Sequence, residues 1–187
     1  MNLANKLTIS RIVLAGIFIL CLFIRGIGAK FFAFGIFLLA SLTDYYDGLI
    51  ARKTNSISDF GRLMDPIADK ILILGGFLAF VEMKIIPAWM VIVIIAREFV
   101  ITGIRALALT RKKVLSAETA GKHKTVSQIV AVLSILIYLI IRDSGFTFRY
   151  IEYYGMTILI LMFITVLMTL ASGVSFMMKN KDIFIAE

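Results

Sequence analysis

Proline, cysteine and charged side chains are all scarce in this sequence of 187 residues. Two prolines and no low-complexity stretch leave no sign of a linker, which predicts one domain over residues 1–187. Cys21 is the single cysteine, so a disulfide within the chain is excluded. Charged residues make up 17% and hydrophobic residues 60%, whereas soluble domains carry about 45–50% apolar residues. The composition therefore predicts an integral membrane protein.

Six apolar segments are long enough to predict an all-α membrane domain with six transmembrane helices. A span needs about 20 residues, and several segments reach that length only by including charged residues. A short surface helix is expected in the first dozen residues, and no cleavage site marks the first segment as a removable signal, so we expect it to be retained. The segments are 9–25, 31–52, 63–82, 86–109, 124–141 and 151–177.

The charges are distributed unevenly along this alternating path. The chain has 20 lysines and arginines against 12 acidic residues, and most of the basic ones fall on one side of the six predicted spans. Basic residues accumulate at the cytoplasmic face of membrane proteins, where they also meet anionic lipid. We therefore expect a multi-pass protein of the cell membrane (inner or plasma membrane) with both termini cytoplasmic. The basic surplus requires no nucleic acid partner.

Four aspartates interrupt the predicted hairpin between spans two and three. Asp44 and Asp47 are three residues apart, and Asp65 and Asp69 are four apart, so each pair shares one face of a helix. Carboxylates inside a membrane are costly and are usually paired, hydrated or functional. Because no His or Cys is nearby, the donors suit Mg²⁺, Mn²⁺ or Ca²⁺ rather than zinc. Two ions about 4 Å apart are an arrangement used for phosphoryl transfer.

The residues beside the aspartates favour a phosphate ligand. Gly48 and Gly61 lack a side chain, which lets a ligand or a helix approach the backbone closely. Arg52 follows on the same helix and is suited to a phosphate. Asp59, by contrast, is interpreted as a helix N-cap. This group of residues predicts a metal-dependent site for a phosphorylated substrate at the cytoplasmic face.

The whole segment resembles the signature of the CDP-alcohol phosphotransferases. The pattern is Asp44-x-x-Asp47-Gly48-x-x-Ala51-Arg52, eight residues, then Gly61-x-x-x-Asp65-x-x-x-Asp69, and every fixed position is filled. The resemblance implies that the four aspartates bind two ions, Mg²⁺ or Mn²⁺, and that Asp69 is also the general base. It further implies that the cytidine diphosphate is bound by Asp47, Gly48, Ala51, Arg52 and Gly61, with Asn5 and Thr8 as further candidates.

Within that family, three stretches resemble the phosphatidylglycerophosphate synthases. They are ANKLTISR from Ala4, where proline is usual at Ala4 itself, AREFVITGIR from Ala96, and AGKHKT from Ala120. The resemblance implies transfer of a phosphatidyl group from CDP-diacylglycerol to glycerol 3-phosphate with release of CMP. It also implies a homodimer in membrane lipid.

Cations near spans four and five predict the acceptor site. Arg97 and Arg105 lie within an apolar run, and Lys122, Lys124 and Thr125 begin the fifth segment. Arginine is well shaped for a phosphate dianion, so a phosphorylated acceptor is favoured over serine or choline. Charge alone leaves inositol phosphate open beside glycerol 3-phosphate, and also phosphatidylglycerol, the acceptor in cardiolipin synthesis.

Three other classes of membrane protein fit the sequence less well than a transferase does. A small cation transporter would need charged residues through the membrane centre, whereas the acids cluster at one face. An intramembrane prenyltransferase places its two Asp-rich motifs in distant halves of a longer chain. A non-catalytic subunit would have no use for four acids at metal-binding spacing. The sequence favours the enzyme over all three.

Overall fold

The structure, a computed structural model, describes the backbone of residues 3–54, 59–110, 120–145 and 151–181. Within these ranges it contains six helices and no strand: α1 (Leu3–Phe23), α2 (Ile27–Thr54), α3 (Asp59–Glu82), α4 (Ala88–Thr110), α5 (Ala120–Asp143) and α6 (Ile151–Lys179). Each helix contains most of one predicted apolar segment, which confirms the all-α prediction. The side chains of residues 3–8, 44–54, 59–66, 69, 109–110, 120–122 and 152 lie outside the description.

The predicted separate surface helix at the N-terminus is wrong for the described residues. Helix α1 runs without interruption from Leu3 to Phe23, so the polar first turns and the first apolar segment form one rod. The sequence offers no reason for a break, because residues 3–15 contain neither glycine nor proline. Ala4, which replaces the proline usual at that position, is itself a strong helix former.

Large apolar side chains are exposed on the outer surface of all six helices. Examples, one from each helix in order, are Leu20, Phe32, Leu78, Ile92, Ile137 and Met156. An apolar surface of this extent is stable against lipid rather than water, and the chain is accordingly a membrane protein. By apolar length alone, two stretches of the described chain could cross a bilayer, His123–Asp143 and Tyr153–Lys179, while Ile9–Phe23 and Ile27–Thr43 are shorter.

Helix α1 packs closely against both α2 and α3. The rings of Phe18 on α1 and Phe37 on α2 are 5.4 Å apart between centroids. On α3, Gly76 leaves so little room that an added Cβ would lie 3.0 Å from Cε1 of Phe18. Small residues of this kind let helices approach closely where lipid provides no hydrophobic driving force. This packing fixes α3 beside α1 and so positions the segment that carries Asp65 and Asp69.

A buried lysine caps the C-terminal end of α1. The Lys30 ammonium on α2 donates hydrogen bonds to the carbonyl of Leu22 and, at 2.8 Å, to the carbonyl of Ile24. Leu22 lies in the last turn of α1, where the helix dipole is negative, and Ile24 directly follows the helix. Lys30 is 2% exposed, and a cavity of about 480 Å³ opens beside it.

The second half of the bundle is formed by α4, α5 and α6. Helix α6 packs against both α4 and α5, and α5 also contacts α2 and α3. Ile94, Ile135 and Ile158, one from each of the three helices, are almost fully buried. This arrangement places the start of α5 beside the middle of α4, where the polar side chains described next lie.

Candidate active site

The two halves of the aspartate motif lie on consecutive helices. Asp44 and Asp47 belong to the second half of α2, and Asp65 and Asp69 belong to the first half of α3. Helical backbone at all four positions keeps each pair one turn apart, as predicted. Helices α2 and α3 also contact one another. The side chains of these four aspartates lie outside the described residues.

The donors available on these two helices fit a hard divalent cation. All four predicted ligands are carboxylates, and the sequence of residues 42–71 contains neither histidine nor cysteine. Mg²⁺ and Mn²⁺ prefer such oxygen donors. The chemistry of the donor set therefore agrees with the predicted metal ions.

The predicted cytidine diphosphate contacts fall on three helices that pack together. Gly48, Ala51 and Arg52 lie on α2 and Gly61 lies on α3. Asn5 and Thr8 lie in the first two turns of α1, which packs against both of those helices. Their side chains are outside the described residues, so their role as ligand contacts stays a prediction.

Two of the predicted acceptor residues share one buried carboxylate. The Lys124 ammonium on α5 donates to the Glu98 carboxylate on α4, and Nη1 of Arg97 lies 3.4 Å from the same oxygen, Oε1. All three side chains are only about a tenth exposed. Two cations around one anion leave a net positive charge, which is the electrostatic requirement for binding a phosphate.

Arg97 is also held by helix α6. Its Nη2 donates a 3.0 Å hydrogen bond to Oγ of Ser172. Gly173 follows on α6, and an added Cβ there would lie 3.1 Å from Cγ of Arg97. The guanidinium is therefore fixed between α4 and α6, with glycine providing the space for its stem.

A third cation reaches the same region from α3. The Lys70 ammonium donates to Oγ1 of Thr102 on α4, and that hydroxyl donates in turn to the Glu98 carbonyl at 2.7 Å. A small pocket of about 20 Å³ lies where the three helices meet. Its lining is contributed by α3 (Lys70, Ile73, Leu74), α4 (Glu98) and α5 (Lys124, Thr125, Gln128).

The structure separates Arg105 from this group. Its guanidinium lies over the ring of Phe176 on α6, 5.6 Å from the centroid, a cation–π contact two turns along α4 from Arg97. Thr125, another predicted acceptor residue, lines the pocket. The side chain of Lys122 is outside the described residues. Of the five predicted acceptor residues, Arg97 and Lys124 therefore share the Glu98 carboxylate, and Thr125 lines the adjoining pocket with Lys124.

Gln128 was missed in the sequence. It is 3% exposed, lies one turn after Lys124 on α5 and lines the pocket. The available signal was a glutamine four residues after Lys124, at the start of a long apolar run. Lys70, which directly follows Asp69, was likewise not among the predicted acceptor residues.

Known proteins give an independent identification. A sequence model of the CDP-alcohol phosphatidyltransferase family matches residues 1–179. The chain belongs to this family. It is 40% identical over 149 residues to the CDP-diacylglycerol–glycerol-3-phosphate 3-phosphatidyltransferase of Bacillus subtilis, an alignment that covers 73% of this chain and 77% of that protein.

Two further family members extend the comparison. A protein of the same name from Rickettsia bellii is 34% identical over 183 residues, 98% of this chain and 97% of its own. A probable phosphatidylglycerophosphate synthase of Mycobacterium tuberculosis is 40% identical over 134 residues, 70% of this chain and 64% of its own. The Rickettsia alignment spans almost the whole of both chains, so the aligned region includes the segments that carry the aspartate motif and the α4–α5 cations.

Proposed function

We propose that this protein transfers the phosphatidyl group of CDP-diacylglycerol to glycerol 3-phosphate, giving phosphatidylglycerophosphate and CMP. The observation that carries the proposal is the complete aspartate motif on two consecutive helices, α2 and α3. The names of the relatives, which specify both substrates, support the same reaction. A membrane protein suits this substrate, because the acyl chains stay in lipid while the headgroup reacts at the surface.

In this mechanism Asp69 is the general base. Its carboxylate accepts the proton of the sn-1 hydroxyl of glycerol 3-phosphate, for which the two oxygens must come within about 2.6–3.2 Å. The hydroxyl oxygen forms a bond to the phosphorus that carries diacylglycerol. The bond from that phosphorus to the bridging oxygen breaks, and CMP leaves with the electron pair. For an in-line displacement, the acceptor hydroxyl must approach the phosphorus from the side opposite the leaving CMP.

Asp44, Asp47, Asp65 and Asp69 would hold the two divalent ions. When bound, such ions stabilise the charge that develops on the pyrophosphate and on the leaving CMP. Gly48 and Gly61 leave room for the diphosphate near the helix backbone, and Arg52 adds a fixed positive charge. Asn5, Thr8, Asp47 and Ala51 complete the proposed nucleotide site.

Arg97 and Lys124 are the proposed phosphate ligands of the acceptor. Both are buried cations with the Glu98 carboxylate as shared counterion, and Thr125 lies on the adjoining pocket wall. A dianionic phosphate can take up the excess positive charge of this group. Lys122 and Arg105 belong to the same proposal as acceptor phosphate contacts, although the Arg105 guanidinium lies over the Phe176 ring in the structure. The proposal also includes six membrane spans, an active site on the cytoplasmic side of the cell membrane, and a homodimer.

The test is CMP release by the purified protein in detergent. The reaction contains CDP-diacylglycerol, Mg²⁺ or Mn²⁺, and one acceptor chosen from glycerol 3-phosphate, inositol phosphate, serine and phosphatidylglycerol. We expect release with glycerol 3-phosphate, its loss in Asp69→Asn, and near-normal release in Asp59→Asn, a matched change on the same helix outside the motif. Release with another acceptor alone would overturn the acceptor assignment, and full activity of Asp69→Asn would overturn the base.

A further inference from the structure

Gln128 presents a buried amide to the pocket between α3, α4 and α5. The residue is 3% exposed and lines the pocket together with Lys70, Glu98 and Lys124. Among the residues that the structure describes, its Nε2 has no hydrogen-bond partner. A buried amide without a partner is unfavourable, and native proteins satisfy such groups with protein, water or ligand.

The neighbouring polar groups of the pocket are engaged with one another. Glu98 accepts from Lys124, and Lys70 donates to Thr102. Nε2 of Gln128, by contrast, is a buried donor without a partner among the described residues, and the pocket that Gln128 lines has a volume of about 20 Å³, enough for one small polar group. A hydroxyl group is of this size and can accept the hydrogen bond.

Gln128 also lies at a suitable distance from the proposed phosphate ligand. Lys124 and Gln128 are four residues apart on one face of α5, which corresponds to about 6 Å along the helix axis. Lys70, on the opposite wall, directly follows Asp69 in α3. The pocket thus lies between the α5 residue assigned to the acceptor phosphate and the α3 turn assigned to the base.

We propose that Gln128 is a specificity-determining residue that donates a hydrogen bond to the non-reacting hydroxyl of the acceptor. This rests on the function proposed above, in which Lys124 binds the phosphate and Asp69 takes the proton from the terminal hydroxyl. In glycerol 3-phosphate the sn-2 hydroxyl lies between those two ends. Gln128 therefore selects a phosphorylated polyol over a phosphorylated alcohol that lacks the middle hydroxyl.

A pair of acceptors tests this directly. 3-Hydroxypropyl phosphate has the reacting hydroxyl and the phosphate of glycerol 3-phosphate but not the sn-2 hydroxyl. For the unaltered protein we expect kcat/KM to be at least about tenfold higher with glycerol 3-phosphate, the effect of one hydrogen bond to a buried group. In Gln128→Met, which keeps the length of the side chain and removes the amide, that preference should disappear through a loss confined to glycerol 3-phosphate.

The controls separate this role from a structural one. Ser127→Ala removes a hydroxyl that bonds the Lys124 carbonyl of its own helix at 2.7 Å, and should keep the full preference. Equal losses with both acceptors in Gln128→Met would assign Gln128 to packing or to a bound water and overturn the proposal. Equal use of both acceptors by the unaltered protein would overturn it without any variant. Absence of CMP release with glycerol 3-phosphate in the unaltered protein would instead refute the proposed function itself.

Discussion

Lys124 of α5 and Glu98 of α4 form a buried ion pair that joins two helices at the proposed acceptor site. Arg97 lies within 3.4 Å of the same carboxylate and bonds α6 through Ser172. The group therefore links three helices as well as gathering positive charge. A buried charge that loses its partner is costly, whereas the pair itself adds little net stability.

Glu98→Gln is predicted to destabilise the bundle. Removal of one partner from a buried pair costs about 3–5 kcal/mol, because the other charge stays buried without compensation. Thermal denaturation in detergent should therefore give a clearly lower midpoint. The double variant Glu98→Gln/Lys124→Met should lose less than the sum of the two single variants. Additive losses would mean that the two side chains do not interact.

Gly173→Val is predicted to disturb Arg97 from the opposite helix. An added Cβ at Gly173 would lie 3.1 Å from Cγ of Arg97, and the two methyl groups of valine would reach further. We expect a severalfold higher KM for glycerol 3-phosphate with a smaller change in the KM for CDP-diacylglycerol. Gly155→Val on the same helix is the matched control, because nothing lies within 4 Å of a Cβ there. An equal rise in the KM for glycerol 3-phosphate in Gly173→Val and Gly155→Val would contradict the assignment of Arg97 to the acceptor site.

Lys30→Met is predicted to lower stability without changing specificity. The ammonium of Lys30 satisfies two carbonyls at the end of α1, and hydrogen bonds to charged groups contribute about 1.5–3 kcal/mol. The midpoint of thermal denaturation should fall, while the KM values of the remaining folded enzyme stay unchanged. Arg25→Met, which alters an exposed cation beside the same cavity, serves as the control. A Lys30→Met protein as stable as the unaltered one would contradict the capping role.

Removal of divalent metal is predicted to abolish CMP release. Four carboxylates on α2 and α3 provide oxygen donors alone, so activity lost in EDTA should return with Mg²⁺ or Mn²⁺. Metal titration of Asp65→Asn, followed by activity, should require a higher metal concentration for half-maximal release than the unaltered protein. Full activity in EDTA would exclude the two-ion site.

The sequence predicted the helices well because apolar length and charge position determine them. Each of the six helices contains most of one predicted apolar segment, whereas the acceptor role of the α4–α5 cations stays a prediction. The separate N-terminal surface helix failed for a local reason. Residues 3–15 contain no helix breaker, so polarity alone could not end the helix that runs to Phe23.

Contacts between helices were harder to predict than the helices themselves. Lys30 reads as an interfacial charge in the sequence, but the turn before α2 brings it onto the carbonyls that end α1. In the sequence, Gln128 is one polar residue in an apolar helix. Only the packing of α3 and α4 against α5 shows that it lines the pocket between these helices. Arg105 shares a helix with Arg97 yet contacts Phe176 instead of the carboxylate.

The measurement that tests the central claim most directly is identification of the lipid product by mass spectrometry. Purified protein would be supplied with CDP-diacylglycerol, glycerol 3-phosphate and Mg²⁺, with Asp69→Asn in parallel. The account predicts phosphatidylglycerophosphate and CMP in equal amounts from the unaltered protein, and neither from Asp69→Asn. Phosphatidic acid and CMP without phosphatidylglycerophosphate, or no conversion by a folded protein with metal, would contradict it.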